Sequence, residues 1–316
     1  MIITFVGNFN VSYTSETHHA NTLEALGHTV NRLQEGKANS SDILRSAIDS
    51  QLLVWVHTHG WVTPIQEGYT VGHIFKALAE RNIPTMTYHL DLWFGINRQK
   101  DLKDDEFYST IGHFFTVDRL MADWFNENTE VKGHYLTAGV YEPECYMAEP
   151  VEQPPHDVAF VGSRGYHKEW QYRPQLVDWL KDTYGQRFAH YGNDGKGVIR
   201  GDSLNRLYAD TKVVVGDTLC LNFDYPGYWS DRVYETLGRG GFMIHPYIKG
   251  MEDHFKDGKH LVFYEFGNFA DLKTKIDYYL DTPHEREAIR KAGHEHVKAN
   301  HTYTNRWQTI IKELGL

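Results

Sequence analysis

Short apolar runs of strand type alternate with helical segments along this chain, and the alternation stops once and then restarts. In the first half the runs are IITFVGN (2–8), Thr29 to Leu33, LLVWVHT (52–58), TMTYHLD (85–91), HFFTVD (113–118) and KGHYLTAG (132–139). Helical stretches lie between them. Ala20, Leu23 and Leu26 recur at helical spacing, and Gly27 supplies a C-terminal stop. SSDILRSAIDS (40–50), TVGHIFKALAERN (70–82) and RLMADWFNE (119–127) have the same character. Strands separated by helices are not joined as tight hairpins, so this order predicts a parallel, doubly wound sheet. YEPECYMAEPVEQPPH (141–156) is rich in Pro and Glu, has no periodicity and reads as a linker. A second series follows: DVAFVGS (157–163), RFAHYG (187–192), KVVVGDT (212–218), GFMIHP (241–246) and HLVFYE (260–265). Two α/β units result, with ligands expected off the carboxyl ends of their strands.

A chain of 316 residues with 41% hydrophobic and 14% aromatic side chains can fill two cores, which excludes disorder. Its two cysteines, Cys145 and Cys220, make no disulfide framework and suit a reducing cytoplasm. The opening MIITFVGNF lacks the basic region of a signal peptide, and the longest apolar run, LLVWV (52–56), is far too short to span a membrane. A soluble cytoplasmic protein without a membrane partner is expected. The net charge of -10, from 32 basic and 42 acidic side chains, argues against a broad grip on nucleic acid.

The richest motif is SDRVYETLGRGGFMIH (230–245). It reads as a short helix, a break at Gly240 and Gly241, and a buried strand. Arg232 and Glu235 are three apart and share a helix face. A guanidinium grips phosphate and a carboxylate accepts from sugar hydroxyls, so the pair suits a phosphorylated polyol; the alternative is a solvated surface pair. In GSRGYHKEW (162–170), Gly162 and Gly165 permit close backbone approach, while Arg164 and Lys168 can neutralise a diphosphate. This loop is neither GxGxxG nor a Walker motif, and ordinary surface charge is its alternative. In the first half, Gly7 and Asn8 end the opening strand, and Ser15, Thr17 and His18 follow in the next loop. His57 with His59, and His89 with Asp91, stand at strand ends. Such pairs can bind zinc, but no third ligand is signalled, so no metal site is expected.

From about Asp157 to Trp307 the chain resembles the C-terminal domain of the CgeB-like glycosyltransferases, relatives of the GT4-type retaining enzymes of GT-B fold. The resemblance rests on VAFVGS (158–163), SDRVYETLGRGGFMIH, GMEDHF (250–255), DYYLDTPHER (277–286) and HTYTNRW (301–307), in that order. It implies two Rossmann-like domains facing an interdomain cleft. Residues 1–150 would form the acceptor side and 151–300 the nucleotide-sugar side, with 301–316 a helix packing back on the first domain. It also implies that Glu235 binds ribose hydroxyls of the donor and that Arg164 and Lys168 contact its diphosphate. Gly7, Gly162, Ser163, Ser230 and Arg232 complete the donor contacts, and Asp91 and His89 join Arg164 and Lys168 as catalytic candidates. Many GT4 enzymes carry a second glutamate eight positions before the first; here that position is Gly227, and FDYPGYWSD (223–231) offers Ser230 or Asp231 instead. The implied reaction is metal-independent, retaining sugar transfer from a nucleotide diphosphate sugar, a UDP-sugar, without a cofactor. The acceptor is a hydroxyl of a saccharide, a protein, a small metabolite or a modified DNA base. A nucleotide-sugar epimerase or hydrolase, and a non-catalytic protein of the same fold, are the rival readings.

Overall fold

The computed structural model describes residues 1–58, 60–66, 68–150, 155–165 and 167–316, without the side chains of Asp101 and Lys103. The chain divides into two compact units, Met1–Thr137 with Tyr303–Leu316, and Ala138–Thr302.

The first unit holds six strands: β1 (Ile2–Gly7), β2 (Thr29–Gln34), β3 (Leu52–Trp55), β4 (Thr85–His89), β5 (His113–Thr116) and β6 (Lys132–Tyr135). Interleaved are α1 (Ser15–Ala25), α2 (Ser40–Ala47), α3 (Val71–Ala79), α4 (Asn97–Asp101), α5 (Glu106–Thr110) and α6 (Arg119–Asn128). The sheet is parallel throughout in the order β2-β1-β3-β4-β5-β6. Ile3 pairs with Val30 on one side and Leu52 on the other, which puts β1 well inside the sheet. Covered on both faces, β3 and β4 are buried along their whole length, β3 as its unbroken apolar run foretold and β4 in spite of Thr85, Thr87 and His89.

Side-chain caps fix where the helices start. The Thr14 hydroxyl accepts from the Thr17 amide, and Asn39 with Asp42 forms a capping box before α2. Asp118 does more than cap. Its fully buried carboxylate accepts from the Met121 amide of α6 and from the Trp93 and Phe94 amides at 2.8 and 2.9 Å. The loop leaving β4 is thereby tied to the start of α6.

The second unit is a five-stranded parallel sheet of β7 (His156–Val161), β8 (Phe188–Tyr191), β9 (Thr211–Val215), β10 (Met243–Pro246) and β11 (Val262–Tyr264), in the order β11-β10-β9-β7-β8. Its helices are α7 (Tyr172–Tyr184), α8 (Asp202–Ala209), α9 (Arg232–Gly238), α10 (Phe269–Asp281) and α11 (Pro283–Asn300). All eleven strands fall where the sequence places them, six before residue 141 and five after it. The stretch from 141 read as a linker is in part fastened to this unit. Buried Arg239 pairs with Glu144, and the Asn205 amide donates to the carbonyls of Glu144 and Tyr146, both at 2.8 Å. Residues 151–154 of that stretch lie outside the described residues.

The last helix, α12 (Tyr303–Leu314), belongs to the first unit. Tyr303 stacks on His19 at 4.0 Å between ring centroids, and Trp307 packs edge-on against Phe5. Arg306 donates to the Thr137 carbonyl at 2.6 Å. Among the described residues no helix is long and apolar enough to cross a membrane.

Each unit buries a histidine that it must keep neutral. Burial lowers His19 to about 3 and His245 to about 4. Unfolded imidazoles titrate near 6.5, so the unfolded chain takes up these protons first as pH falls. The stability they contribute is complete above about pH 6.5 and is lost as pH drops towards the folded values. At about pH 5 each histidine should cost on the order of 2 kcal/mol. Urea midpoints should therefore fall steeply between about pH 7 and pH 5; a flat profile would show that these imidazoles are not buried neutral.

Candidate functional site

In an open parallel sheet, ligands gather where the strand order reverses. The second unit reverses at β7, which lies between β9 and β8. The Gly162 amide just past β7 donates to the Tyr191 carbonyl at 2.7 Å, and the Gly162 carbonyl accepts from His190 Nε2 at 2.7 Å. A Cβ on Gly192 would stand 2.4 Å from that carbonyl, so only glycine lets the two strand ends approach this closely. They border a cavity of about 70 Å³ lined by Gly162, Ser163, Tyr191, Gly192, Asn193, Arg200 and Arg232 among others. Arg232 arrives from the start of α9. Its amide donates to Ser230 Oγ at 3.3 Å, and the Ser230 amide donates to Thr218 Oγ1 at 3.1 Å. The Arg232 guanidinium lies against Gly162, with Nε 3.4 Å from where a Cβ there would be.

Gly162, Ser163 and Arg232 thus line one cavity, and Ser230 stands beside it through its hydrogen bond with the Arg232 amide. Glu235 follows one helical turn later, half-buried, and among the described residues its carboxylate meets neither a hydrogen-bond donor nor a cation of the chain. Burial, and then the charge of Glu235, pushes the Tyr208 phenol up.

Arg164 and Lys168 are placed elsewhere. Arg164 forms a two-point pair with Asp178 of α7, with Nε at 2.9 Å, and its amide donates to Asp194 at 2.9 Å. Lys168 is exposed in the next turn. Neither lines the cavity.

A residue that the sequence did not single out stands behind this loop. Arg173 of α7, 4% exposed, pairs with fully buried Asp217 at 2.6 Å and reaches towards the Ser163 carbonyl at 3.5 Å. The Trp170 indole donates to the same carboxylate at 3.1 Å. Burial pushes the Asp217 carboxyl up, and the Arg173 guanidinium opposes that shift.

The first unit reverses at β1, between β2 and β3. There a cavity of about 350 Å³ is lined by Ser15, Glu16, His19, His57, Thr58, Tyr88, His89, Asp91, Trp93 and Arg98 among others. His89 is buried, its ring against Trp93 and Phe114 at 4.9 and 5.1 Å. Asp91 is half-exposed and pairs with Arg98 at 3.0 Å. Gly7 does not line the cavity. A Cβ there would stand 2.9 Å from Glu16 Cγ, so the glycine admits the Glu16 side chain over the strand end.

His57 lies between two carboxylates, Glu35 at 2.5 Å from Nδ1 and Asp105 at 3.2 Å from Nε2. Burial acts to lower its pKa, but the hydrogen bonds to Asp105 and Glu35 prevail and push it up to about 9. Glu35 also accepts from the Trp55 indole and the Thr58 amide. Both His57 nitrogens are thereby occupied in an imidazolium; His59 lies outside the described residues. Among the described residues no three His, Cys, Asp or Glu side chains converge as metal ligands.

Solved structures of the same architecture are known. An α-glucosyltransferase in complex with UDP-glucose and DNA containing an abasic site superposes with a TM-score of 0.69, over 100% of this chain and 99% of that one, at 11% identity. HepE of Anabaena in complex with UDP-glucose gives 0.67 over 100% and 99%, at 11% identity. Sucrose-phosphate synthase from Thermosynechococcus elongatus gives 0.63 over 99% of each chain, at 10% identity. Identities this low speak for the fold, two Rossmann-like parallel-sheet domains as in GT-B glycosyltransferases. By sequence the chain matches none of the curated proteins. The family model of glycosyl transferase-like proteins does match, over residues 149–312. That is just over half the chain and takes in every residue around the β7–β8 cavity, so the chain belongs to the glycosyl transferase-like family.

Proposed function

We propose that this protein transfers a sugar from a nucleotide diphosphate sugar, a UDP-sugar, to a hydroxyl acceptor, as a CgeB-like enzyme of the GT4 type. The observation that carries the reading is Arg232 and Glu235 one helical turn apart, with Arg232 against Gly162 on a cavity that Ser163 also lines. The guanidinium and the loop amides would hold the diphosphate and steady the charge that develops as it leaves. Glu235 would accept from the ribose diol, which gives selectivity because a partner lacking those hydroxyls leaves a carboxylate unpaired. UDP-glucose bound in the α-glucosyltransferase and in HepE supports uridine as the base.

Metal independence and retention of configuration are parts of the same proposal. Arg232 supplies positive charge of the kind a divalent ion gives at a leaving phosphate, and the resemblance to GT4 enzymes supports retention. Arg164 and Lys168 would play a lesser part, since Arg164 already answers Asp178. Asp91 and His89 are the catalytic candidates of the first unit.

A nucleotide-binding screen tests this. UDP should raise the melting temperature of the wild type more than GDP, ADP or TDP do, and Glu235→Ala should weaken UDP binding by roughly ten- to a hundredfold. Donor consumed without any acceptor would point to a hydrolase or an epimerase. Absence of nucleotide binding at millimolar ligand would defeat the transfer reading.

A further inference from the structure

The cavity at the ends of β1, β3 and β4 has a chemistry of its own. Its volume, about 350 Å³, is at the small end of the range for small-molecule sites. Its walls mix acceptors with donors. Glu16 and Asp91 offer carboxylate oxygens, Ser15 a hydroxyl and Arg98 a guanidinium. The Trp307 indole donates to Nδ1 of His19 at 3.2 Å, which puts the ring proton on Nε2. That Nε2 is buried and meets no partner among the described residues. An array of donors and acceptors matches a ligand whose every group both donates and accepts, as hydroxyls do.

Glu16 is the most telling of these groups. It is 9% exposed, and it accepts from the Ser15 hydroxyl at 3.1 Å and from the backbone amides of Asn8 and Glu16, but among the described residues it meets no cation. A buried carboxylate without a cation is costly even so, and its lone pairs outnumber these donors. The chain nevertheless makes room for it with a glycine at the preceding strand end, where any Cβ would crowd the Glu16 side chain. Burial, helped by the nearby charge of Glu35, pushes its carboxyl up, which suits an acceptor of hydroxyl protons.

The charge around the cavity selects against polyanions. His57 lines the cavity with Glu35 and Asp105 bonded to its two nitrogens from behind, Asp91 answers Arg98, and Glu16 remains in excess. The first unit as a whole carries twelve basic against seventeen acidic side chains. A nucleic-acid acceptor would need the reverse, since its binding rests on neutralised phosphates.

We propose that this cavity takes a small uncharged polyhydroxylated acceptor, a mono- or disaccharide or a related polyol, and that Glu16 is the carboxylate that binds its hydroxyl. The proposal rests on the glycosyl-transfer reading and narrows it. The acceptor hydroxyl passes its proton to the departing diphosphate as its oxygen bonds to the anomeric carbon, and the bond from that carbon to the diphosphate oxygen breaks with its electron pair on that oxygen, releasing the nucleoside diphosphate.

The test uses the full chain with UDP-glucose as donor probe and UDP release as readout. Neutral saccharides and polyols, an oligonucleotide carrying a hydroxymethylated base, and a Ser/Thr peptide serve as acceptors. Saccharides should stimulate release and the other two should not. Glu16→Gln should raise the saccharide KM by roughly ten- to a hundredfold while UDP affinity stays at the wild-type value. Gly7→Ala should repeat the effect in weaker form by displacing Glu16, and Glu16→Gln carries the test alone where Gly7→Ala fails to fold. Saturation-transfer NMR of the same saccharides on wild type and Glu16→Gln reads the cavity without any turnover. Preferred transfer to the oligonucleotide or peptide, or a saccharide KM unmoved in Glu16→Gln, overturns the proposal. Loss of UDP binding in the wild type overturns the transfer reading instead, and the NMR titration then decides the cavity by itself.

Discussion

Arg232→Ala should lower affinity for UDP by roughly 30- to 1,000-fold while leaving the melting temperature of the free protein within a degree or two. The magnitude follows from position. Arg232 is half-buried at the start of α9 and lies against Gly162, so a phosphate there would meet the guanidinium with little intervening water. Arg200, the other arginine lining the cavity, is exposed and already donates to the Ile199 carbonyl, so it should compensate little. Arg232→Lys should recover only part of the loss, because an ammonium keeps the charge and gives up the two-point geometry. Calorimetric titration of both variants with UDP, at low and moderate salt, would check this. Wild-type affinity in Arg232→Ala would remove this cavity from consideration as the diphosphate site.

Asp217→Ala should destabilise the protein by about 3–5 kcal/mol. Asp217 is buried, and its removal leaves the Arg173 guanidinium without its counter-charge and the Trp170 indole without its acceptor. At the usual scaling for a unit of this size the midpoint of thermal unfolding should drop by about 10 °C. Asp217→Asn keeps the shape and an acceptor, so it should fall between. Arg173 also reaches towards the Ser163 carbonyl, so Asp217→Asn should weaken UDP binding beyond its effect on stability. Differential scanning calorimetry with UDP titration of Asp217→Asn separates the two. A shift of under a degree in Asp217→Ala would mean that the pair is not buried as described.

The sheets were legible because parallel strands covered by helices must be apolar on both faces, and LLVWV or KVVVG can hardly be anything else. Short helices were harder. Asn97–Asp101 and Glu106–Thr110 are each five residues long and carry no apolar period, while α8 shows one in Leu204, Leu207 and Tyr208 over only eight residues. Around the candidate site, the common helix of Arg232 and Glu235 was legible because three-residue spacing is a local signal. The pairing of Arg164 was not legible, since its partner Asp178 is fourteen residues away on another element. Glu35 and Asp105 reach His57 from 22 and 48 residues away, through neighbouring strand ends that only the folded sheet defines. Glu16 left a local trace in the glycine at position 7, but that trace has meaning only once the strand end and the helix start are seen to touch.

The return of α12 to the first unit sets an order of completion during synthesis. The chain leaves that unit after Thr137 and re-enters it only at Tyr303. Translation delivers all six of its strands early, but Tyr303 and Trp307, which cover His19 and Phe5, emerge after the entire second unit. The unit that leaves the ribosome first is therefore finished last, and until then it shows an apolar face of the kind chaperones hold.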